Sequence, residues 1–130
     1  SAQAQPTGDV ICALATPPGI GSIAVIRVSG SDAFTVCDAF FRGKITLHDA
    51  ADHTIHYGKW VHADRTVDTV TAAVFRAPHS YTGENVVEIS CHGGSYMSDD
   101  ILSTLLSTSA RLAEPGEFTR RAFLNRKLDL

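Results

Sequence analysis

"SIAVIRVSG" (residues 22–30) and "NVVEISCHGG" (residues 85–94) decide the fold. The first is aliphatic on both faces, as a central strand with cover on both sides would be. Arg27 stands inside it. The second alternates: Val87, Ile89 and Cys91 fall on one face, and Val86, Glu88 and Ser90 on the other. Glu88 is therefore a carboxylate in an apolar strand, as Arg27 is a guanidinium in another. A charge in such a place is costly unless a partner or a polar ligand meets it. Two readings stand side by side: a buried Arg27–Glu88 ion pair, or a shared pocket in which both groups meet a polar ligand.

Working outward, "DVICALAT" (9–16) reads as a strand and "PPGIGS" (17–22) as a loop. Ser29 to Asp32 make a turn with helix-capping residues. "DAFTVCDAFFR" sets Ala33, Val36, Cys37, Phe40 and Phe41 at helical spacing, and Gly43 can stop that helix. Residues 43–53 read as a polar loop. "TIHYGKWVH" (54–62) and "VDTVTAAVFRAP" (67–78) form the best hairpin in the chain. An apparent slip of phase between Ile55/Tyr57 and Trp60 suggests a glycine bulge at Gly58. "HSYTGE" is a loop. Residues 95–108 carry Met97, Ile101, Leu102, Leu105 and Leu106 on one helical stripe, and Pro115-Gly116 breaks the chain before a short helix near Glu117. Two strands, a helix, three strands and a helix make an α+β fold: a β2-α-β3-α five-stranded mixed sheet with helices.

The 130 residues are enough for one domain with its own core. Net charge is −3, which excludes a globally basic nucleic-acid binder. Basic residues gather at the end of the chain, where Arg111, Arg120, Arg121, Arg126 and Lys127 face Glu114, Glu117 and Asp129. Cys12, Cys37 and Cys91 are odd in number and set among apolar residues. They read as buried thiols in a reducing cytoplasm rather than a disulfide framework. No run approaches the ~18 apolar residues of a membrane span. The first eight residues read as a disordered or cloning tail, without the marks of a secretory signal.

Other chemistry is weaker. "PPGIGS" offers backbone N–H groups beside a strand, but it is not a phosphate-binding P-loop. Cys91 and His92 are adjacent on a strand and point to opposite faces, so they do not form a nucleophile–base pair. Their glycine pair reads as a close backbone turn, and the helix that follows would let an anionic ligand part approach its N-terminus. His48, His53, His56 and His62 read as surface histidines, with no metal site. "GEFTRRAFLNRKLDL" (116–130) reads as an amphipathic segment with Phe118, Phe123, Leu124 and Leu128 docked inward. Its basic and aromatic interleaving is the pattern an RNA-contacting segment would also show.

"ICALATPPGIGSIAVIRVSGSDAF" (11–34), "SYTGENVVEISCHGG" (80–94) and "EPGEFTRRAFLNRKLDL" (114–130), in that order, resemble the N-terminal region of the bacterial tRNA-modification GTPase family TrmE/MnmE. The resemblance implies a fold like the folate-binding domain of aminomethyltransferases, and a domain that binds a one-carbon tetrahydrofolate (5-formyl or 5,10-methylene) and dimerises. Its folate contacts carry over to Arg27, Glu88 and Lys127. It further implies residues 9–118 as the folate-binding and dimerisation domain, with 119–130 starting a connection to a helical domain. GTP, Mg and K ions would belong to a separate GTPase domain. The 130 residues would then not hydrolyse GTP by themselves, whereas the full-length protein would. With a flavin-dependent partner, MnmG or GidA, that protein would modify the wobble uridine of tRNA in the cytoplasm, away from membranes. A purely structural dimerisation module and a tRNA-contacting module using Arg111, Arg120, Arg121 and Arg126 are the alternatives.

Overall fold

The computed structural model describes residues 9–16, 23–92 and 95–128. The 1–8 tail, the 17–22 loop, the 93–94 glycine pair and the side chain of Lys127 lie outside the described residues.

The element order is β1 (Ile11–Leu14), β2 (Ile23–Ser29), α1 (Ala33–Asp38), β3 (Phe41–Gly43), β4 (Thr54–His62), β5 (Arg65–Phe75), β6 (Val86–His92), α2 (Ser95–Leu106), β7 (Arg111–Leu112) and α3 (Glu117–Leu128). The strands form one open sheet in the order β3-β4-β5-β6-β2-β1-β7. The β1–β7 pair is parallel and the others are antiparallel, so the sheet is mixed and the fold is α+β. The five expected strands are present, and two short edge strands extend them to seven.

One face of the sheet holds the core. Ala24, Ile26 and Val28 of β2 join Val70, Ala72 and Val74 of β5 and Val87, Ile89 and Cys91 of β6. Phe34, Val36 and Cys37 of α1 and Ile101 and Leu105 of α2 cover them. Each Val, Ile, Leu or Phe among them contributes roughly 1.5–3 kcal/mol by leaving water. Burial pushes the thiols of Cys12 and Cys91 up to about 11, and Cys37 also rises, so none is poised as a thiolate nucleophile.

Several details depart from the sequence reading. Alternation along β4 is unbroken: Gly58 and Trp60 are buried, while Ile55, Tyr57 and Lys59 are exposed. The register shift falls between Trp60 and Val61, next to the hairpin turn, and not at Gly58. Gly58 has another cause. It pairs with Gly43, and the Phe41 ring fills the space that a Cβ on either would take, at 2.7 and 2.8 Å. Gly43 thus belongs to β3 and does not stop a helix. α1 ends at Asp38, whose carboxylate accepts from the backbone N–H groups of Leu47 and His48. The 43–53 stretch contains a short 3-10 turn, Leu47–Asp49, capped by Thr46. On α2, Ile101 and Leu105 are buried, whereas Met97 and Leu106 are exposed, so its stripe is narrower than expected. Phe123 is exposed rather than docked.

The second face of β2 is covered only in part. Val25 and Arg27 are half-buried and Ile23 is exposed. Across this face, Ile55 and Tyr57 of β4 are 70% and 71% exposed.

Candidate ligand-binding face

Arg27 and Glu88 are direct cross-strand partners on β2 and β6. Both project onto the open face because they alternate with Ile26, Val28, Val87 and Ile89, which face the helices. Arg27 Nε donates to Glu88 Oε2 at 3.0 Å, with the side chains 27% and 29% exposed. The residue pair that the sequence singled out is therefore brought together. It is neither sealed in the core nor fully solvated.

Two aromatic rings meet the guanidinium. Its central carbon lies 5.2 Å from the Tyr81 ring centre and 5.5 Å from that of Phe118. Cation–π contact of this kind contributes roughly 0.5–2 kcal/mol. Tyr81 is placed by its hydroxyl, 2.9 Å from Thr119 Oγ1. The sequence reading put Tyr81 in a loop and docked Phe118 inward without linking either to Arg27. They come from segments far apart in the chain, and no spacing rule joins them. Glu88 Oε1 accepts no hydrogen bond among the described residues, so one carboxylate oxygen stays available to a ligand donor.

Further along the same face lies a groove of about 370 Å³, lined by Ile23, Tyr57, Thr71, Ser90 and His92 among others. Ser90 is two residues from Glu88 and follows it on the same side of β6. His92 ends the strand. Asp68, a residue the sequence reading did not name, fixes it. The Asp68 carboxylate accepts from the His92 backbone N–H at 2.9 Å, from the Thr69 N–H at 2.8 Å and from His92 Nδ1 at 2.8 Å.

α3 reaches this face from a separate ionic cluster. Glu117 is 3% exposed and accepts from Arg111 Nη1 and Nη2 at 2.9 and 2.6 Å, and from the Glu114 N–H at 2.9 Å. The Arg111 bonds, ahead of the other causes, hold the Glu117 carboxyl down at about 2. Arg121 donates to the Asp9 backbone oxygen and to both oxygens of Glu84 at 2.9–3.1 Å. Arg120 sits 3.7 Å from Glu114. Three of the four arginines proposed for RNA contact are thus already engaged by acids.

Among the described residues no group of three or more His, Cys, Asp or Glu is placed to hold a metal ion. None of the described helices is long and apolar enough to cross a membrane.

The fold and site define a class: an α+β domain whose mixed sheet leaves one face partly open, with an Arg–Glu pair that is incompletely bonded among the described residues and has two aromatic rings against its guanidinium. The family model described as "GTP-binding protein TrmE N-terminus" matches residues 10–127. The tRNA modification GTPase MnmE of Parabacteroides distasonis is 54% identical over 124 residues, covering 92% of this chain and 27% of that protein. The MnmE proteins of Lactiplantibacillus plantarum and Chlamydia trachomatis are 53% and 51% identical, each covering 94% of this chain and 27% of the relative. The chain belongs to the TrmE/MnmE family and corresponds to its N-terminal domain. It spans about a quarter of the length of these curated relatives.

Proposed function

We propose that this domain binds a one-carbon tetrahydrofolate at Arg27, Glu88 and Lys127 and pairs with a second copy of itself. Within a full-length protein it would serve tRNA modification. The observation that carries the binding reading is the Arg27–Glu88 pair: half-exposed, beneath Tyr81 and Phe118, with Glu88 Oε1 uncommitted among the described residues. A reduced pterin presents an amino group and a ring N–H side by side, which suit a carboxylate acceptor. Its ring carbonyl and the folate's negative charge suit Arg27 and the cationic Lys127. The residues present therefore fit the group. When bound, the folate would supply a one-carbon unit, while the residues of this chain bind and orient it.

Dimerisation is supported by Ile23, Ile55 and Tyr57, exposed together on one sheet face. On this reading residues 9–118 are the binding domain, and 119–130 lead toward a helical domain. GTP, its metal ions, the flavoprotein partner and tRNA are met by other parts of a cytoplasmic protein. The direct Arg27–Glu88 hydrogen bond favours one rival, a purely structural module in which the pair serves only itself.

Calorimetry with 5-formyltetrahydrofolate separates the two. Binding is expected, weakened about tenfold or more by Glu88→Ala. Heat that is absent, or unchanged by that substitution, leaves the structural module.

A further inference from the structure

We propose that His92 is the second anchor of this ligand site, taking a carboxylate at the far end of an elongated ligand whose ring is held at Glu88. The inference rests on the folate-binding reading and extends it to a residue outside the Arg27, Glu88 and Lys127 set.

The first argument is position. Glu88, Ser90 and His92 follow one another on the same side of β6. At about 3.3 Å per residue, His92 stands roughly 13 Å from Glu88 along the strand. The groove lined by Ile23, Tyr57, Thr71, Ser90 and His92 occupies the His92 end of this span. Its wall mixes apolar and hydroxyl groups, which suits an aromatic linker. A pterin joined through an aminobenzoyl group to a glutamate has this order of parts: polar ring, flat apolar middle, anionic end.

The second argument is construction. His92 is 66% exposed, yet it is held by a carboxylate that is only 7% exposed. Asp68 takes the His92 backbone N–H, where an antiparallel ladder would offer a carbonyl, and takes ring Nδ1 as well. With three donors converging on Asp68, ring Nδ1 carries the proton that bridges them. Nε2 is then the ring atom left to face a ligand. A histidine that merely solvated the surface would gain nothing from a buried orienting carboxylate.

The third argument is charge. Lys59 of β4, paired with Thr69 across the ladder, lies on the same face at the same end. Asp68 is the opposing charge, and its acceptor positions are already occupied.

The test compares two ligands by calorimetry on this domain: 5-formyltetrahydrofolate, and a 5-formyl-6-methyltetrahydropterin that lacks the benzoylglutamate tail. His92→Ala is expected to weaken the intact folate about tenfold and to leave the tail-less pterin unchanged. Glu88→Ala should weaken both. Should His92→Ala perturb folding, His92→Gln, which keeps a neutral donor, is expected to lose part of the difference. Equal weakening of both ligands, or of neither, by the His92 variants overturns this assignment while leaving the Glu88 site intact. Absence of binding by the unaltered domain overturns the folate reading and this inference together.

Discussion

Two ionic sites, one at Glu117 and one against the ring of its chain neighbour Phe118, obey the same Coulomb law and are built to opposite ends. In the Glu117 cluster the carboxylate is buried and its acceptor positions are filled by Arg111, the Glu114 N–H and, more distantly, Arg121. At Arg27–Glu88 one hydrogen bond joins two half-exposed groups, and one carboxylate oxygen is uncommitted among the described residues. Saturation, rather than the presence of a pair, separates a structural fastener from a site open to a ligand. A filled carboxylate has nothing left to offer, whereas a half-filled one trades water for ligand at small expense.

The largest effect is expected where the comparison is most one-sided. Glu117→Ala leaves Arg111 and the mostly buried Arg121 short of an acceptor and should destabilise the domain by about 3 kcal/mol. That is roughly a 10 °C fall in thermal midpoint. A loss under 1 kcal/mol would erase the distinction between the two sites.

Acid should expose the same difference. The Glu117 carboxyl titrates at about 2 when folded, against an ordinary 4.5. A depressed folded value means that its contribution is complete above about pH 4.5 and is lost as pH falls toward about 2. That contribution is about 3 kcal/mol, and urea midpoints measured down this range should fall accordingly. In Glu117→Gln the decline should flatten.

Ligand should act on the other site. Folate at one hundred times its dissociation constant is expected to stabilise the unaltered domain by about 2.7 kcal/mol, read as a thermal shift. The shift should shrink in Glu88→Ala. Without ligand, Glu88→Gln is the smallest expected effect, below about 1 kcal/mol, because the pair is solvent-screened and Arg27 keeps its aromatic contacts. A large loss there, measured by chemical unfolding, would make Arg27–Glu88 a second fastener and weaken the case for a ligand.

What the sequence disclosed follows the range of each interaction. Arg27 and Glu88 announced themselves because alternation assigns a face to each, and charge on an apolar strand stands out. The five longer strands carried their own patterns. β3 and β7, of three and two residues, exist because Trp60 and Ile11 offer edges to pair with, which no local pattern records. Gly58 misled for a related reason: its cause is the Phe41 ring, one strand away. The Glu117 cluster draws on Asp9, Glu84, Arg111 and Arg121, and the basic end of the chain looked like a charged surface until those partners were in place. Asp68 stayed unnoticed because its partner His92 arrives from another strand.

Trp60 gives the domain a built-in optical reporter. It is the one tryptophan in the chain, fully buried, stacked on Phe40 at 5.4 Å between ring centres. Its indole N–H donates to Thr104 of α2 at 2.8 Å. Its emission colour therefore reads whether α2 is seated on the sheet, with no dye or label to attach.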